Sequence, residues 1–366
     1  MLLKGELTLT KRFLGVLFLG MVISMLCLME GRVFAEPTLS ADGAQSFGEV
    51  KVFSLQQREV VAIAVDANMP TASITDPLSY KMELHYSEIV KGNNLEIVMK
   101  DVSMAEDKVI SSPYLKEIRI EKNIPSGIKI SMDFPGKTKP LVTTVKRKRF
   151  NRDNGTTDFR TYLVLDFSKG LKEAKIIVLD PGHGSPDPGA VSNFLCEKDL
   201  NLDISLRAQE LFRQKGYDVY MTRTEDIEIP LFDRADAANI LNAAVFISVH
   251  NNSMPLDMSE PAKKIYRGTT VLYNGTALKP AKELAIIMCD ELVKTLRTHK
   301  YPLQDRPGLL VLNSTWVPAV IAEVSMMPHP QDAKMISQPV YRLKAAEGIV
   351  TSTEKYLNNP LFDEGR

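Results

Sequence analysis

Four short segments in the second half of the chain each supply one residue able to bind a cation or move a proton. They are Asp180-Pro181-Gly182-His183-Gly184, Cys196-Glu197-Lys198, Ser248-Val249-His250-Asn251-Asn252 and Ala322-Glu323-Val324. Only five histidines occur in 366 residues, and two of them fall here beside small or polar neighbours. His183, Glu197 and His250 form a three-ligand N/O set that suits a zinc ion (Zn2+) with one coordination position open, the mark of a catalytic rather than a structural zinc site. Glu323 is a further carboxylate that can act as a base on a water held there.

The segments that position these residues read as strand ends. Ile176-Ile177-Val178-Leu179 and Val245-Phe246-Ile247-Ser248-Val249 are continuous apolar runs, as expected of strands buried on both faces. Leu200, Ile204, Ala208 and Leu211 recur at helical spacing up to Gly216, and helices are expected around Asp233 to Leu241, from Pro280 to Thr298 and over residues 339–357. Strands alternating with helices over 172–366 predict a three-layer α/β domain with a central, mostly parallel sheet. In such sheets ligands gather at the carboxyl ends of the strands, where His183, His250 and Glu323 fall.

Each residue also has a plainer reading. His183 in a Gly-rich turn can cap a helix, Glu197 can be a first-turn carboxylate favoured by the dipole, and His250 can be a satisfied core histidine. Asn251 and Asn252 suit a cleft better than a core, and Asn252 is a candidate substrate contact. Asp180 and Asp187 are candidates for orienting a ligand imidazole through its second nitrogen, or for a turn. Glu323 in an apolar strand is costly unless it is paired, with Arg223 or Arg234 as the obvious partners, or placed in a site. His85, His299 and His329 do not compete as ligands, although His329 follows Glu323 closely enough to line a cleft.

From residue 53 to 171 the texture differs. Short runs such as Val60 to Val65, Leu95 to Met99, Ile128 to Met132 and Tyr162 to Phe167 are separated by turn-prone clusters, which predicts a mostly antiparallel β domain. Residues 36–52 read as a linker, and the basic run Lys146-Arg147-Lys148-Arg149 as a solvated hairpin tip. Residues 1–35 read as a signal peptide: Lys4, Lys11 and Arg12 precede an apolar run from Phe13 to Met29, and Val33-Phe34-Ala35 forms a cleavage site. An uncleaved anchor is the alternative, and is the one route to a membrane.

Hydrophobic content of 44% and charged content of 25% are those of a globular protein. The formal net charge is zero, which gives no reason to expect nucleic acid as a partner. Removing residues 1–35 takes away four basic and two acidic residues, leaving about −2. Cys196 and Cys289 then remain; Cys289 lies in an apolar helical pattern and reads as a buried thiol.

These residues carry a resemblance. Ile176 to Val191, Glu197 with Leu200-Asn201-Leu202, Tyr220 to Thr224 with Asp226, Leu231, Arg234 and Ala238-Asn239, Phe246 to Asn252, and Pro318 to Glu323 resemble the zinc-dependent N-acetylmuramoyl-L-alanine amidases of the amidase-3 family. The resemblance implies His183, Glu197 and His250 as zinc ligands and Glu323 as the catalytic carboxylate. It also implies peptidoglycan as substrate, cut between N-acetylmuramic acid and L-alanine, an exported enzyme of the periplasm or cell envelope, and an envelope or divisome activator as a partner. The β domain resembles, more weakly, the AMIN domains that target such enzymes to the envelope. Ser185 replaces a usual glycine, and Val324-Ser325-Met326-Met327-Pro328 replaces the usual continuation after the glutamate. Some members carry a long inserted helix after the second histidine; Asn251 to Arg267 is a modest connection, so no such plug is expected. A zinc hydrolase of another amide, and a non-catalytic peptidoglycan-binding protein, are the competing readings.

Overall fold

Continuous apolar runs become central strands here because both of their faces are covered. In the computed structural model, which describes residues 45–67, 84–123, 126–135, 139–150, 157–168, 174–254, 258–259, 261, 265–277 and 281–359, such runs occur in both halves of the chain. The signal segment, the start of the expected linker and much of the connection after Asn252 lie outside the described residues.

Among the described residues the first half is all β. Its early strands are β1 (Gln45–Ser54), β2 (Arg58–Ala67), β3 (Tyr86–Lys91), β4 (Asn94–Met99) and β5 (Val102–Ser103). They are followed by β6 (Lys108–Ser112), β7 (Lys116–Lys122), β8 (Ile128–Asp133), β9 (Leu141–Phe150) and β10 (Thr157–Ser168). Two five-stranded sheets result, ordered β5-β1-β2-β10-β9 and β3-β4-β8-β7-β6. Val61, Ile63, Leu163 and Leu165 of the first sheet pack against Leu95, Ile97, Ile118 and Ile130 of the second, closing a sandwich.

The second half adds β11 (Ile176–Pro181), β12 (Val191–Ser192), β13 (Leu195–Cys196), helix α1 (Glu197–Gln214), β14 (Asp218–Met221), α2 (Leu231–Ile240) and β15 (Val245–Asn252). Next come β16 (Thr270–Tyr273), α3 (Ala281–Leu296), β17 (Gln304–Asp305), α4 (Leu310–Ser314), β18 (Ala319–Met326), α5 (Pro330–Ile336) and α6 (Pro339–Leu357). A six-stranded sheet is ordered β14-β11-β15-β18-β16-β17; its first four strands are mutually parallel, and β16 runs antiparallel to β18. The expected α/β domain with a mostly parallel sheet is therefore observed.

Alternation along these strands divides the core. Ile177, Leu179, Val245, Ile247, Val320 and Ala322 face α1, α3 and α6. The opposite residues, including Val178, Phe246 and Ile321, share a core with Ala238 of α2, Leu312 of α4 and, from the sandwich, Ala62, Ala64, Tyr162 and Val164. The β2–β10 layer is thus buried on both faces, which is why Val60 to Val65 reads as an unbroken apolar run. Each large side chain fully buried in that shared core contributes about 1.5–3 kcal/mol, so the halves stabilise one another. Among the described residues no helix is long and apolar enough to cross a membrane.

Two sequence expectations are corrected. The linker read over 36–52 overlaps strand β1, which pairs along its length with β2. A bulge between Phe47 and Val50 breaks its alternation and hides its strand character. Its charged residues are used at the junction: Lys51 Nζ lies 2.9 Å from Asp233 Oδ1 of α2.

The basic run 146–149 lies inside β9 instead of at a hairpin tip. Arg147 is buried, forms an ion pair with Asp236 of α2, donates to the Ser314 carbonyl at 2.8 Å and stacks on Trp316 at 5.0 Å. Arg58 of β2 repeats the pattern, bridging Asp166 at 3.1 Å and Asp218 at 3.2 Å. Charges that sequence places on a surface here tie one half of the chain to the other.

Candidate active site

β11, β15 and β18 end side by side, and each delivers one site residue. β11 leads through Gly182 into His183; His250 lies in β15 directly opposite Glu323 of β18 in the parallel register. Glu197 comes from elsewhere, as the first residue of α1, where the helix dipole favours a carboxylate. The ligand atoms of His183, Glu197 and His250 lie within 4.8 Å of one another.

Glycines make this convergence sterically feasible. A Cβ on Gly182 would lie 2.2 Å from the His250 ring, and one on Gly189 would lie 2.6 Å from both Glu197 Oε2 and His183 Cδ2. His183 itself has φ 62, a left-handed conformation that is uncommon outside glycine. It is held there by Arg234, whose guanidinium donates to the His183 carbonyl at 2.8 Å, and by Arg223, which donates to the Gly182 carbonyl at 2.9 Å.

Glu197 is the electrostatic centre. Its Oε1 lies 3.2 Å from His183 Nε2 and 2.9 Å from His250 Nδ1, and accepts from the Asn251 backbone N–H at 3.2 Å and Asn201 Nδ2 at 3.3 Å. Oε2 accepts from the Ala190 N–H at 2.8 Å. Burial opposes ionisation of Glu197, but the hydrogen bonds and charges of His183 and His250 outweigh it and hold the carboxyl well below the usual range. Burial likewise opposes charge on His183, yet Glu197 and Asp187 together push its pKa up to about 9. Both shifts describe a cluster that attracts positive charge.

Glu323 differs from Glu197. Its Oε2 is buried and has no hydrogen-bond partner among the described residues. Burial pushes its pKa up to about 7; the Glu197 carboxylate adds to the rise while His250 and His183 oppose it. The arginines that could have neutralised it are engaged elsewhere: Arg223 with the Pro181, Gly182, Lys198 and Glu225 carbonyls, Arg234 with Asp180 and the Ile229, Pro181 and His183 carbonyls. The ion-pair reading of Glu323 therefore fails.

The remaining expectations divide. Asp187 Oδ2 lies 2.6 Å from His183 Nδ1, the imidazole-orienting contact. With Nδ1–H given to Asp187, Nε2 is the nitrogen that faces Glu197 and that a metal would take by displacing its proton. Asp180 does not touch an imidazole; it is buried under Arg234, Thr222 and Ser248, at 2.8, 2.6 and 2.7 Å. Asn252 stays half-buried and accepts from the Ser253 N–H at 2.8 Å. Asn251 faces inward, contrary to the cleft reading, and bonds Asn201 at 2.9 Å. His329 is buried, 3.8 Å from Asp332, and stands at the N-cap position of α5 without a side-chain capping bond. Cys196 and Cys289 are both free, and Cys289 is buried as expected.

Sequence reasoning missed Asn201, and it used Arg223 and Arg234 only as partners for Glu323. Asn201 follows Glu197 by one helical turn, and that i,i+4 spacing is the signal that could have found it. Apart from Asp180, the acceptors of the arginines are backbone carbonyls, which leave no pattern in sequence.

A mostly parallel α/β sheet that brings His183, His250 and Glu323 together with Glu197 from α1 has the arrangement of a hydrolase-type site. Residues 177–355 match the family model of the N-acetylmuramoyl-L-alanine amidases, and through this domain the chain belongs to that family. A germination-specific N-acetylmuramoyl-L-alanine amidase of Bacillus subtilis is 28% identical over 196 residues, half of this chain and 79% of that protein. A probable cell wall amidase of Staphylococcus saprophyticus is 33% identical over 194 residues, 52% of this chain and 61% of that one. Among solved structures, an N-acetylmuramoyl-L-alanine amidase of Clostridium difficile is 31% identical, covering 52% of this chain and all of that one, with a TM-score of 0.48.

Proposed function

We propose that this chain is a peptidoglycan hydrolase that cleaves the amide between N-acetylmuramic acid and L-alanine, with zinc held by His183, Glu197 and His250. The observation that carries the reading is the pairing of a three-ligand cluster with Glu323, a buried carboxylate whose Oε2 has no partner of its own. The donor set fits the ion: two imidazoles and a carboxylate converge, and one carboxylate beside them is left uncommitted.

Bound zinc supplies Lewis acidity, lowering the pKa of a water towards about 7 and polarising the amide carbonyl. Glu323 takes the proton from the attacking water and returns it to the leaving nitrogen, work that is typically worth roughly 10²–10⁴ in rate. Burial of its carboxyl favours the protonated form, which serves the second task, because the proton must be held before it is delivered. Asp187 holds the His183 ring, while Asn201 and Asn251 hold Glu197.

The enzyme is proposed to act in the cell envelope after export through residues 1–35, with the sandwich as its AMIN-like targeting element. A second reading, hydrolysis of another amide, is favoured by Val324 to Pro328, which change the segment beside the site.

Digestion of purified peptidoglycan, followed by mass spectrometry, tests the bond. Stem peptides with a free N-terminal alanine, together with muramic acid lacking peptide, are expected. Intact glycan-linked peptides, alongside turnover of other N-acyl peptides, would transfer the reading to another amide.

A further inference from the structure

Glu197 is reached through a two-residue hairpin. β12 pairs antiparallel with β13, Val191 opposite Cys196 and Ser192 opposite Leu195, with Asn193 and Phe194 as the turn. Both turn residues have positive φ, 52 and 62. Such turns ordinarily take Asn-Gly: asparagine tolerates the left-handed region, whereas phenylalanine carries strain there. The Phe194 side chain is 108% exposed, so no packing within the described chain offsets that strain. A lone exposed aromatic is ordinary, but one held at a strained φ next to a site residue is the kind of outlier from which a functional contact is inferred.

The hairpin is firmly placed. At its base Glu197 N–H donates to the Ala190 carbonyl at 2.9 Å, and Leu195 packs on the core. At its tip Asn193 Nδ2 donates to the Met327 carbonyl at 2.9 Å, and the Met327 N–H donates to the Asn252 carbonyl at 2.9 Å. The tip therefore joins the ligand Glu197 to the segment that follows Glu323. The charged rim lies towards Ser185, where Lys198 pairs with Asp226 at 2.5 Å and Asp226 accepts the Ser185 N–H at 2.8 Å. Phe194 stands on this tip three residues before the proposed ligand Glu197.

The geometry points to Phe194 as a specificity-determining substrate contact whose ring stacks on the C–H face of the muramoyl sugar next to the scissile amide. This rests on the amidase reading. A pyranose ring presents a flat array of C–H bonds that an aromatic face without a polar tip can cover, whereas a charged stem peptide suits the Lys198–Asp226 side. Phe194 tolerates its strained φ because its value lies in binding and not in folding.

The test titrates two ligands into full-length, zinc-loaded protein carrying Glu323→Gln, with Phe194 intact or replaced as Phe194→Gly or Phe194→Trp. One ligand is a disaccharide muropeptide; the other is a D-lactyl-L-alanyl peptide without sugar. Phe194→Gly is expected to weaken muropeptide binding about fivefold to tenfold, the scale of one aromatic face, with Phe194→Trp restoring it. The sugar-free peptide is expected to bind all three equally. Phe194→Gly is also expected to raise the melting temperature, because strain is relieved, which separates lost binding from lost folding. Equal muropeptide binding by Phe194→Gly and its parent, an equal loss for the sugar-free peptide, or a dimer that dissolves on Phe194→Gly would each overturn the proposal. Peptidoglycan digestion by the native protein, run alongside, distinguishes the two failures: turnover with Phe194-independent binding sinks only this contact, whereas neither turnover nor binding sinks the amidase reading as well.

Discussion

Glu323 and His250 are register partners on adjacent parallel strands, so a proposed zinc ligand and the proposed catalytic carboxylate are set side by side by backbone hydrogen bonding alone. Because β15 and β18 are central strands buried on both faces, that spacing does not depend on loops.

The first consequence concerns pH. Without metal, Glu323 is expected to titrate near 7, above the ordinary value of 4.5, chiefly because it is buried. A base must be ionised, so kcat/KM is expected to fall on the acid side. A dication nearby favours the carboxylate, placing that limb below the metal-free value. A rate that rises as pH drops below this limb would contradict the assignment.

The same shift has a stability sign. A carboxyl with a raised folded pKa contributes stability that is fully present below 4.5 and lost as pH rises through about 7. Metal-free Glu323→Gln is therefore expected to melt higher than metal-free native protein at pH 8, by on the order of 3 kcal/mol at most, with the gap closing by pH 5. Thermal scans at the two pH values check this; an unchanging gap would speak against a buried, unpartnered carboxyl.

Metal affinity is expected to depend on Asp187. Asp187→Asn loses the charged acceptor that fixes His183 Nδ1–H, and zinc affinity is expected to fall about 10–100-fold in competition with a chelator. Asp180→Asn acts differently, leaving Arg234 buried without its counter-charge, and is expected to destabilise the fold.

The sandwich and the α/β sheet are expected to unfold together. Arg147→Met removes the buried ion pair with Asp236 and is expected to destabilise the chain, seen as an earlier single transition in both halves. A fragment starting at residue 172 would uncover part of the core around Val178, Phe246 and Ile321, and is expected to bind hydrophobic dyes and aggregate. A monomeric fragment melting like the full chain would contradict the shared core.

The site was legible where sequence pattern and physics coincide. The apolar runs leading to His183 and His250 marked strands that deliver them near their carboxyl ends, whereas Glu323, expected at a strand end, lies within β18, which continues through buried Val324 to Met326. Glu197 was legible only in company, since a first-turn glutamate is ordinary. β1 and β9 were misread because a bulge interrupts one, and because in the other Lys146 is exposed while Arg147 beside it is buried. The burial of Arg147 depends on Asp236, far away in sequence. The double burial of the β2–β10 layer has the same non-local origin.

The most direct test of the central claim is Glu323→Gln, with zinc content and peptidoglycan turnover measured on the same preparation. Because Glu323 is assigned to proton transfer and His183, Glu197 and His250 to the metal, the variant is expected to retain one zinc per chain and to lose about 10²–10⁴ in turnover. Turnover near that of native protein, with zinc fully bound, would contradict the role of Glu323.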